Sequence, residues 1–283
     1  MIGLLLLTLA ALASATCDRA SLKSATDRYI IAQSTGQLSW LAPALSPNTT
    51  YWENLVQVPL PLQNNTTSAA ILSRSLRIDH HRTAFDTVQC ATFTELLSLS
   101  PSSPYQIATQ LRLDPSTTKI QKIDSIVTTT GDLLFSPSHA LHYILQQPDW
   151  NAFLTTTASR TPRASLQAAA DAYYDFFVNK SVVVPWDRPC TRVDGGFLDT
   201  PDMDCNTDIP DGVTVRTVDR RYVIDEDAGV VQVTSNFGVI GPDSHEFWVV
   251  GGKIRGIRSA TVCPDKKNCG LERPAALGED IGY

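Results

Sequence analysis

The densest group of ionisable side chains in this sequence lies at residues 76–86, which read Leu-Arg-Ile-Asp-His-His-Arg-Thr-Ala-Phe-Asp. The segment reads as one β-strand. Side chains alternate along a strand, so Asp79 and His81 share one face while His80 and Arg82 share the other. A histidine with a neighbouring carboxylate can transfer a proton, and an arginine can hold a substrate carboxylate. A histidine lies on whichever face is inward, and the alternative is a solvated edge strand.

The elements that must position this strand follow a helix-then-strands order. Apolar residues recur at helical spacing from Asp18 to Ile30, with Asp18 as the cap, and residues 138–147 predict a further helix. Branched, aromatic and alternating residues predict further strands at 51–58, 87–97, 105–113 and 119–130.

Three segments of the first half recur in the second half in the same order. The pairs are 20–30 with 164–174, 80–86 with 219–225, and 119–125 with 253–259. This shared order predicts a duplicated unit. A helix stripe and one sheet face must bury each other, so each unit is predicted to be an α+β cone, a curved antiparallel sheet covered by its N-terminal helix. Two such units can pack sheet against sheet as a pseudo-dimer within one chain.

The first residues indicate the secretory route. Residues 1–15 are nearly all apolar and end in Ala-Ser-Ala, which predicts a signal peptide and its cleavage site. No later segment has the roughly 20 apolar residues that a membrane span requires. We therefore expect a secreted or secretory-pathway protein without a transmembrane segment. Four sites fit the N-glycosylation pattern: Asn48, Asn64, Asn65 and Asn179.

The cysteines form an even set, as expected for disulfides in an oxidising compartment. The candidates are Cys17, Cys90, Cys190, Cys205, Cys263 and Cys269. Their connectivity stays open, although Cys190 with Cys205 and Cys263 with Cys269 would close short loops. No C-x-x-C pair supports a zinc site built on thiolates, so no metal site is predicted, and nothing in the sequence requires a cofactor.

The charge and the motifs exclude several classes of function. A formal net charge of −6 argues against a nucleic-acid partner, because phosphates require a basic surface. The chain has no Gly-x-Ser-x-Gly elbow and no Walker loop, and the glycines of residues 251–256 predict a hairpin turn. A small molecule is the expected partner.

The element order and several motifs resemble the cone of SnoaL-like, ketosteroid-isomerase-like proteins. More narrowly, the chain resembles a group of fungal secreted proteins of unknown function that carry this cone twice. The segments that carry the resemblance are residues 79–83, 122–132, 184–190, 221–226 and 243–247. We expect a first cone at residues 16–147, a second cone at 148–263 and a flexible C-terminal tail at 264–283.

The resemblance also implies a range of functions. Cones of the broad superfamily act as isomerases, dehydratases and cyclases, or only bind ligands. Some similar fungal proteins are associated with coupling two maleic-anhydride monomers into maleidride (nonadride) rings. The implied function is a cofactor-independent dimerising cyclase of fungal secondary metabolism. The alternatives are a SnoaL-like isomerase or dehydratase on another carbonyl substrate, and a non-catalytic secreted ligand-binding protein.

An apolar cone pocket lowers the local dielectric, which favours proton abstraction beside a carbonyl group. Such a site needs a base, an oxyanion donor and few other groups. The predicted catalytic residues are His81, His80, Asp79, Tyr51 and Glu53. The predicted substrate-binding residues are Arg82, Arg221 and His245.

Several of the candidate residues have a structural alternative to a role in catalysis or binding. Tyr29, also considered as a donor, lies like Tyr173 on the apolar stripe of its helix, so core packing is favoured for both. His245 lies where a strand begins, and its side chain can face either the pocket or solvent.

The two copies of this strand share an arginine but differ in their histidines. Arg82 recurs as Arg221, which indicates an anion anchor or a structural salt bridge to a nearby aspartate. His80 and His81 have no counterpart in the second copy. The sequence therefore predicts that the chemistry lies in the first half.

Overall fold

The computed structural model describes residues 17–60, 70–156, 158–198, 204–205 and 215–271. The first half comprises helix α1 (Arg19–Thr35), strands β1 (Leu45–Glu53), β2 (Val56–Val58), β3 (His80–Asp86), β4 (Ala91–Ser98), β5 (Tyr105–Leu113) and β6 (Ile120–Thr128), and helix α2 (Pro137–Gln146). The second half comprises helix α3 (Arg163–Phe176) and strands β7 (Trp186–Asp194), β8 (Phe197–Leu198), β9 (Thr217–Asp225), β10 (Val230–Phe237), β11 (Gly241–Val250) and β12 (Lys253–Thr261).

Within the described residues, the strands form two six-stranded sheets of identical topology. The first sheet has the order β2-β1-β6-β5-β4-β3, and the second has the order β8-β7-β12-β11-β10-β9. In each sheet one pair is parallel, β1 with β6 and β7 with β12, and the other pairs are antiparallel. The recurring sequence segments lie on equivalent elements. The predicted fold class of two tandem α+β cones is thus confirmed.

Helix α1 shows how the sequence builds each cone. The Asp18 side chain accepts a hydrogen bond from the Ser21 backbone N–H at 2.8 Å, and the helix ends at Gly36, which has a φ of 66°. The side chains of Leu22, Ala25 and Tyr29 recur at helical spacing and are buried against the concave face of the first sheet. Helix α3 covers the second sheet with its own apolar stripe.

The opposite faces of the two sheets pack against each other. Alanines at positions 84, 91 and 108 form a cluster with Phe93 and Ile126 of the first sheet and with Val223 and Val230 of the second. Small residues let the sheets approach closely, and this contact buries the faces that the helices leave open. The two halves therefore form an internal pseudo-dimer.

Two ion pairs cross this interface reciprocally. The Arg163 guanidinium at the start of α3 donates to both Asp86 oxygens, at 2.9 and 2.6 Å. Arg19 at the start of α1 donates to both Asp225 oxygens, at 2.8 and 2.9 Å. Because these residues occupy equivalent positions in the two copies, each helix is tied to the edge strand of the other half. The aspartates thus bind these arginines, and not Arg82 or Arg221.

The six cysteines all lie within the described residues and form three disulfides. Cys17 pairs with Cys90, Cys190 with Cys205, and Cys263 with Cys269. The described helices include none that is long and apolar enough to cross a membrane. The three disulfides are compatible with secretion. The predicted signal peptide at 1–15 lies outside the described residues, as do Asn64 and Asn65, whereas Asn48 and Asn179 are exposed.

The first residues of the predicted C-terminal tail make specific contacts with the rest of the chain. The Cys263–Cys269 disulfide closes a short loop, and the Asn268 side chain accepts a hydrogen bond from Leu134 N–H at 2.7 Å. The Asn268 backbone N–H also donates to the Gly131 carbonyl oxygen at 2.7 Å. These contacts hold residues 264–271 against the segment between β6 and α2.

Candidate functional site

The dense segment at residues 76–86 divides its side chains between two environments. His80 and Arg82 face the second sheet, while His81 is exposed. Asp79 lies before β3, where its Oδ2 accepts a hydrogen bond from Leu99 N–H at 2.7 Å and its Oδ1 lies 2.8 Å from Arg77 Nε. These contacts hold Asp79 at the entry to the strand, so its role as a partner of a histidine base stays a prediction.

Tyr51 and Glu53 lie in the first cone, apart from the histidines. The Tyr51 hydroxyl donates to Glu53 Oε2 at 2.7 Å, and Ile71 N–H donates to the same oxygen at 2.9 Å. Nearby, the Tyr29 hydroxyl is hydrogen-bonded to Thr109 at 2.7 Å. Burial raises the pKa of Tyr51 and of Tyr29 well above the usual range for tyrosine. These groups form a buried polar chain that contains no histidine.

Arg82 and Arg221, which occupy equivalent positions in the two copies, contact different carboxylates. Arg221 Nε donates to Asp124 Oδ2 at 2.8 Å across the sheet interface. Arg82 instead contacts Glu246 and lies 3.9 Å from Glu95. The structure therefore gives Arg221 a structural partner and does not bring the two arginines together around one anion.

A histidine–aspartate pair lies inside the second cone. Strand alternation puts Asp243, His245 and Phe247 of β11 on the face that α3 covers. His245 Nδ1 lies 2.7 Å from Asp243 Oδ2, and His245 Nε2 lies 3.3 Å from the Tyr173 hydroxyl on α3. Since the carboxylate accepts the Nδ1 proton, Nε2 of the neutral ring is the basic atom.

The Asp243 carboxylate is held by other side chains as well. Thr261 donates to Oδ1 at 2.7 Å, and the hydroxyls of Ser235 and Tyr174 donate to Oδ2 at 3.4 Å. These three donors, together with the imidazole, fix the orientation of the buried carboxylate. It can therefore align the imidazole and stabilise it after protonation.

Aromatic rings surround the imidazole. The ring centroids of Tyr173, Tyr174, Phe237 and Phe247 lie 5.2–5.9 Å from that of His245, and His245 itself is only 4% exposed. Burial lowers the pKa of His245, but the charge and hydrogen bond of Asp243 outweigh it, so the pKa is raised. Burial raises the pKa of Tyr173, which keeps its hydroxyl protonated as a donor.

A second pair of charges faces the same interior. Ser259 donates to Asp194 Oδ1 at 2.7 Å, and Arg192 Nε lies 3.2 Å from Asp194 Oδ2. Arg192 Nη1 also donates to the carbonyl oxygen of Cys205 at 3.3 Å. The disulfide between Cys190 and Cys205 therefore holds that carbonyl group beside the cone interior.

A cavity of about 360 Å³ adjoins this cone. Its lining includes Trp186, whose ring meets the Tyr173 ring edge-on with centroids 6.0 Å apart. Trp186 thus lies between the cavity and the residue that contacts His245.

The first cone is an internal reference for the second. In the second sheet, His245 lies opposite Ser259 and Asp243 lies opposite Thr261. At the equivalent positions of the first sheet, Thr109 lies opposite Ser125 and Ile107 lies opposite Val127. The first cone thus has threonine and isoleucine where the second has the histidine and the aspartate. The scaffold packs without the ionisable pair, so folding does not require it.

The sequence predicted His245 as a substrate-binding residue and not as a base, and it did not predict the partners of this side chain. The signal was present, because residues two apart on a strand share a face, and Asp243-Ser244-His245 has this spacing. Tyr173 was assigned to core packing, and the structure shows that its ring packs in the core while its hydroxyl reaches His245. Asp194 and Arg192 gave no distinct signal, since their strand is irregular and contains Pro189.

The second half of the chain is similar to a family of protein domains. A model of the family described as a domain of unknown function, DUF8021, matches residues 159–261, which include the second cone. The search of curated proteins found no match.

Solved structures that match include an NTF2-like protein of unknown function from Shewanella baltica OS155, with 13% identity, a TM-score of 0.27, and coverage of 39% of this chain and 91% of that chain. A DUF4783 family protein from Bacteroides ovatus ATCC 8483 matches with 10% identity, a TM-score of 0.26, and coverage of 35% and 91%.

Proposed function

We propose that the second cone is the site of a cofactor-independent enzyme that moves a proton beside a carbonyl group. The observation that carries this proposal is the buried Asp243–His245 pair in a cone whose sister copy packs Ile107 and Thr109 at the same positions. Burying a carboxylate and a histidine costs free energy, and the sister cone avoids that cost with the same fold. Function is the remaining reason to keep them.

The chemistry follows from the geometry. His245 Nε2 accepts the proton of a C–H bond next to a carbonyl group, and the electron pair of that bond moves toward the carbonyl oxygen. Asp243 stabilises the imidazolium that forms. The Tyr173 hydroxyl, 3.3 Å from Nε2, donates to the developing enolate oxygen. Return of the proton to another carbon gives an isomerisation. Cleavage of a C–O bond beta to the carbonyl group, with the proton of the imidazolium passing to the departing hydroxyl group, releases water and gives a dehydration.

The more specific proposal is a dimerising cyclase of fungal secondary metabolism. The carbanion formed by proton transfer to His245 would add to a C=C carbon of a second anhydride molecule. The π electrons of that double bond would move onto the anhydride carbonyl oxygen, and the His245 imidazolium would return its proton to the resulting enolate. The buried guanidinium of Arg192 supplies a positive charge in the same interior, which suits substrates that become anionic. An isomerase or a dehydratase would use the same dyad.

A second candidate function is ligand binding without catalysis. It is favoured by the close contact among the rings, since Tyr173 already bonds to His245 and aromatic side chains occupy much of the interior. Under this alternative a carbonyl ligand would bind without proton exchange.

Hydrogen–deuterium exchange at carbons next to a carbonyl tests both candidates. Wild-type protein is incubated in D₂O with a panel of ketones, β-keto acids and alkylated maleic anhydrides, and exchange and coupling products are followed by NMR. Tyr173→Phe should lower kcat/KM by about 10²-fold, because it removes the oxyanion donor and keeps the ring. Tyr29→Phe is the matched control at the equivalent position of the first cone and should retain full activity. Equal activity in the two variants would contradict the proposal, and binding without exchange would favour the second candidate.

A further inference from the structure

A cleft between the two sheets contains charged side chains that the proposed chemistry does not use. It encloses about 220 Å³, and its polar lining includes His80, Arg82, Asp149 and Arg258. One wall comes from strands of both sheets, and the other comes from the end of α2 and the connection that follows it. On β11, Glu246 at this interface follows His245, so the cleft and the second cone lie on opposite faces of one sheet.

Both arginines of the cleft are only 4% exposed. Arg82 contacts Glu246, and its Nη2 lies 3.9 Å from Glu95 Oε2, while Arg258 Nη1 lies 4.0 Å from the same oxygen. Arg258 Nη2 donates to Gln147 at 2.9 Å. Within the described residues, Nε and Nη1 of both arginines have no hydrogen-bond acceptor. Among the same residues, the nearby oxygens Glu95 Oε2 and Glu246 Oε1 lack a donor as well, so the four donor nitrogens outnumber them and leave hydrogen bonds for a ligand.

Unpaired buried donors are unfavourable, and a bound acceptor would relieve them. Burial lowers the pKa of Arg82 to about 9 and that of Arg258 to about 10, because both charged guanidinium groups are removed from water. His80 Nε2 is likewise buried without a partner among the described residues. Three cationic or proton-carrying side chains therefore line one small cleft.

Trp150 makes the site rigid. Its ring is 1% exposed and lies under both guanidinium groups, with the Arg82 and Arg258 carbons 5.2 and 3.9 Å from a ring centroid. Trp248 stacks on it at 5.9 Å. A Cβ atom on residue 256 would lie 2.2 Å from Trp150 Cζ2, so Gly256 is needed for the ring to fit. The floor of the cleft is thus a fixed apolar surface with two oriented guanidinium groups above it.

We propose that this cleft binds a small organic monocarboxylate, with the carboxylate between Arg82 and Arg258 and the apolar part against Trp150 and Ile144. Planar guanidinium groups match the two oxygens of a carboxylate. Asp149 is exposed at the rim, where it disfavours a second negative charge on the ligand. Arg221, which the sequence paired with Arg82, does not line the cleft, and Arg258 takes its place.

Isothermal titration calorimetry tests this assignment without any measurement of turnover, so its outcome is independent of the proposed catalysis. The probes are benzoate and hexanoate, with hexanamide as a neutral analogue, succinate as a dicarboxylate and sulfate as an anion without an apolar part. Benzoate or hexanoate should bind to wild-type protein at least about tenfold more tightly than the other probes. Equal affinity for hexanamide and hexanoate, or no binding of either carboxylate, would overturn the proposal.

A double variant locates the site. Arg82→Met with Glu246→Gln removes a guanidinium and its ionic partner together, so that no unpaired buried charge remains, and it should weaken carboxylate binding at least about tenfold. Arg221→Met with Asp124→Asn removes the ion pair of the equivalent strand and should bind like wild type. Unchanged affinity in the first double variant would overturn the assignment. Should that variant fail to fold, the NMR signals of the His80 ring in wild-type protein decide the question. They should shift on addition of benzoate, and unshifted signals would overturn the assignment of the site.

Discussion

The His245→Gln variant is expected to lose about 10²–10⁴-fold in kcat/KM on any carbonyl substrate that the wild-type protein turns over. Glutamine can still donate a hydrogen bond to Asp243, but its side chain cannot accept a proton at neutral pH. The carboxylate also keeps its bonds from Thr261, Ser235 and Tyr174, so no buried charge is left alone. The circular dichroism spectrum should therefore match that of wild type.

His81→Gln is the control for this experiment. His81 is exposed on an edge strand, and the substitution should leave kcat/KM unchanged. A fully active His245→Gln protein, or an equal loss in the two variants, would place the base outside the second cone.

The Asp86→Ala variant is expected to lose about 3–5 kcal/mol of unfolding free energy. Asp86 is fully buried, accepts both guanidinium bonds of Arg163, and also accepts backbone N–H bonds from Ile224, Val88 and Gln89 at 2.8–3.1 Å. Alanine leaves those donors without an acceptor and breaks a link between the two halves. The midpoint of urea unfolding should fall accordingly.

An exposed ion pair gives the comparison. Asp27 contacts Lys23 one helical turn away at 2.7 Å, and Asp27→Ala should change the unfolding free energy by about 0.5 kcal/mol or less. Asp225→Ala should resemble Asp86→Ala, because Asp225 binds Arg19 and Phe85 N–H in the same way. A loss at Asp86 no larger than at Asp27 would show that the reciprocal pairs do not stabilise the interface.

The duplication was predictable because helix and strand patterns recur in the same order, and each unit must bury one sheet face under a helix. The sequence could not show which face of each strand lies under a helix and which lies against the other sheet. Both faces of each sheet are buried here, one under a helix and the other against the partner sheet. The alternation at His80 and His81 therefore predicted which residues share a face, but not that the face of His80 and Arg82 forms the interface.

The half that carries the chemistry was assigned by comparing only one pair of equivalent strands. On β3 and β9 the histidines occur in the first copy alone, which favoured the first half. The comparison that matters lies on β5 and β11, where Thr109 corresponds to His245. Loops of different lengths shift the alignment between the copies, so this correspondence requires the strand register. The structure supplies that register, and it moves the proposed base to the second cone.

The pH dependence of kcat/KM for wild-type protein and Asp243→Asn tests most directly whether the Asp243–His245 pair is the catalytic base. In the proposed mechanism the neutral imidazole is the active form, and Asp243 raises its pKa above the ordinary value of 6.5. Activity of wild-type protein should therefore rise with pH through a pKa above 6.5. In Asp243→Asn the charge that raises the pKa is gone while the lowering effect of burial remains, so this rise should move to lower pH as the maximal rate falls. An acid limb at the same pH in both proteins would contradict the account.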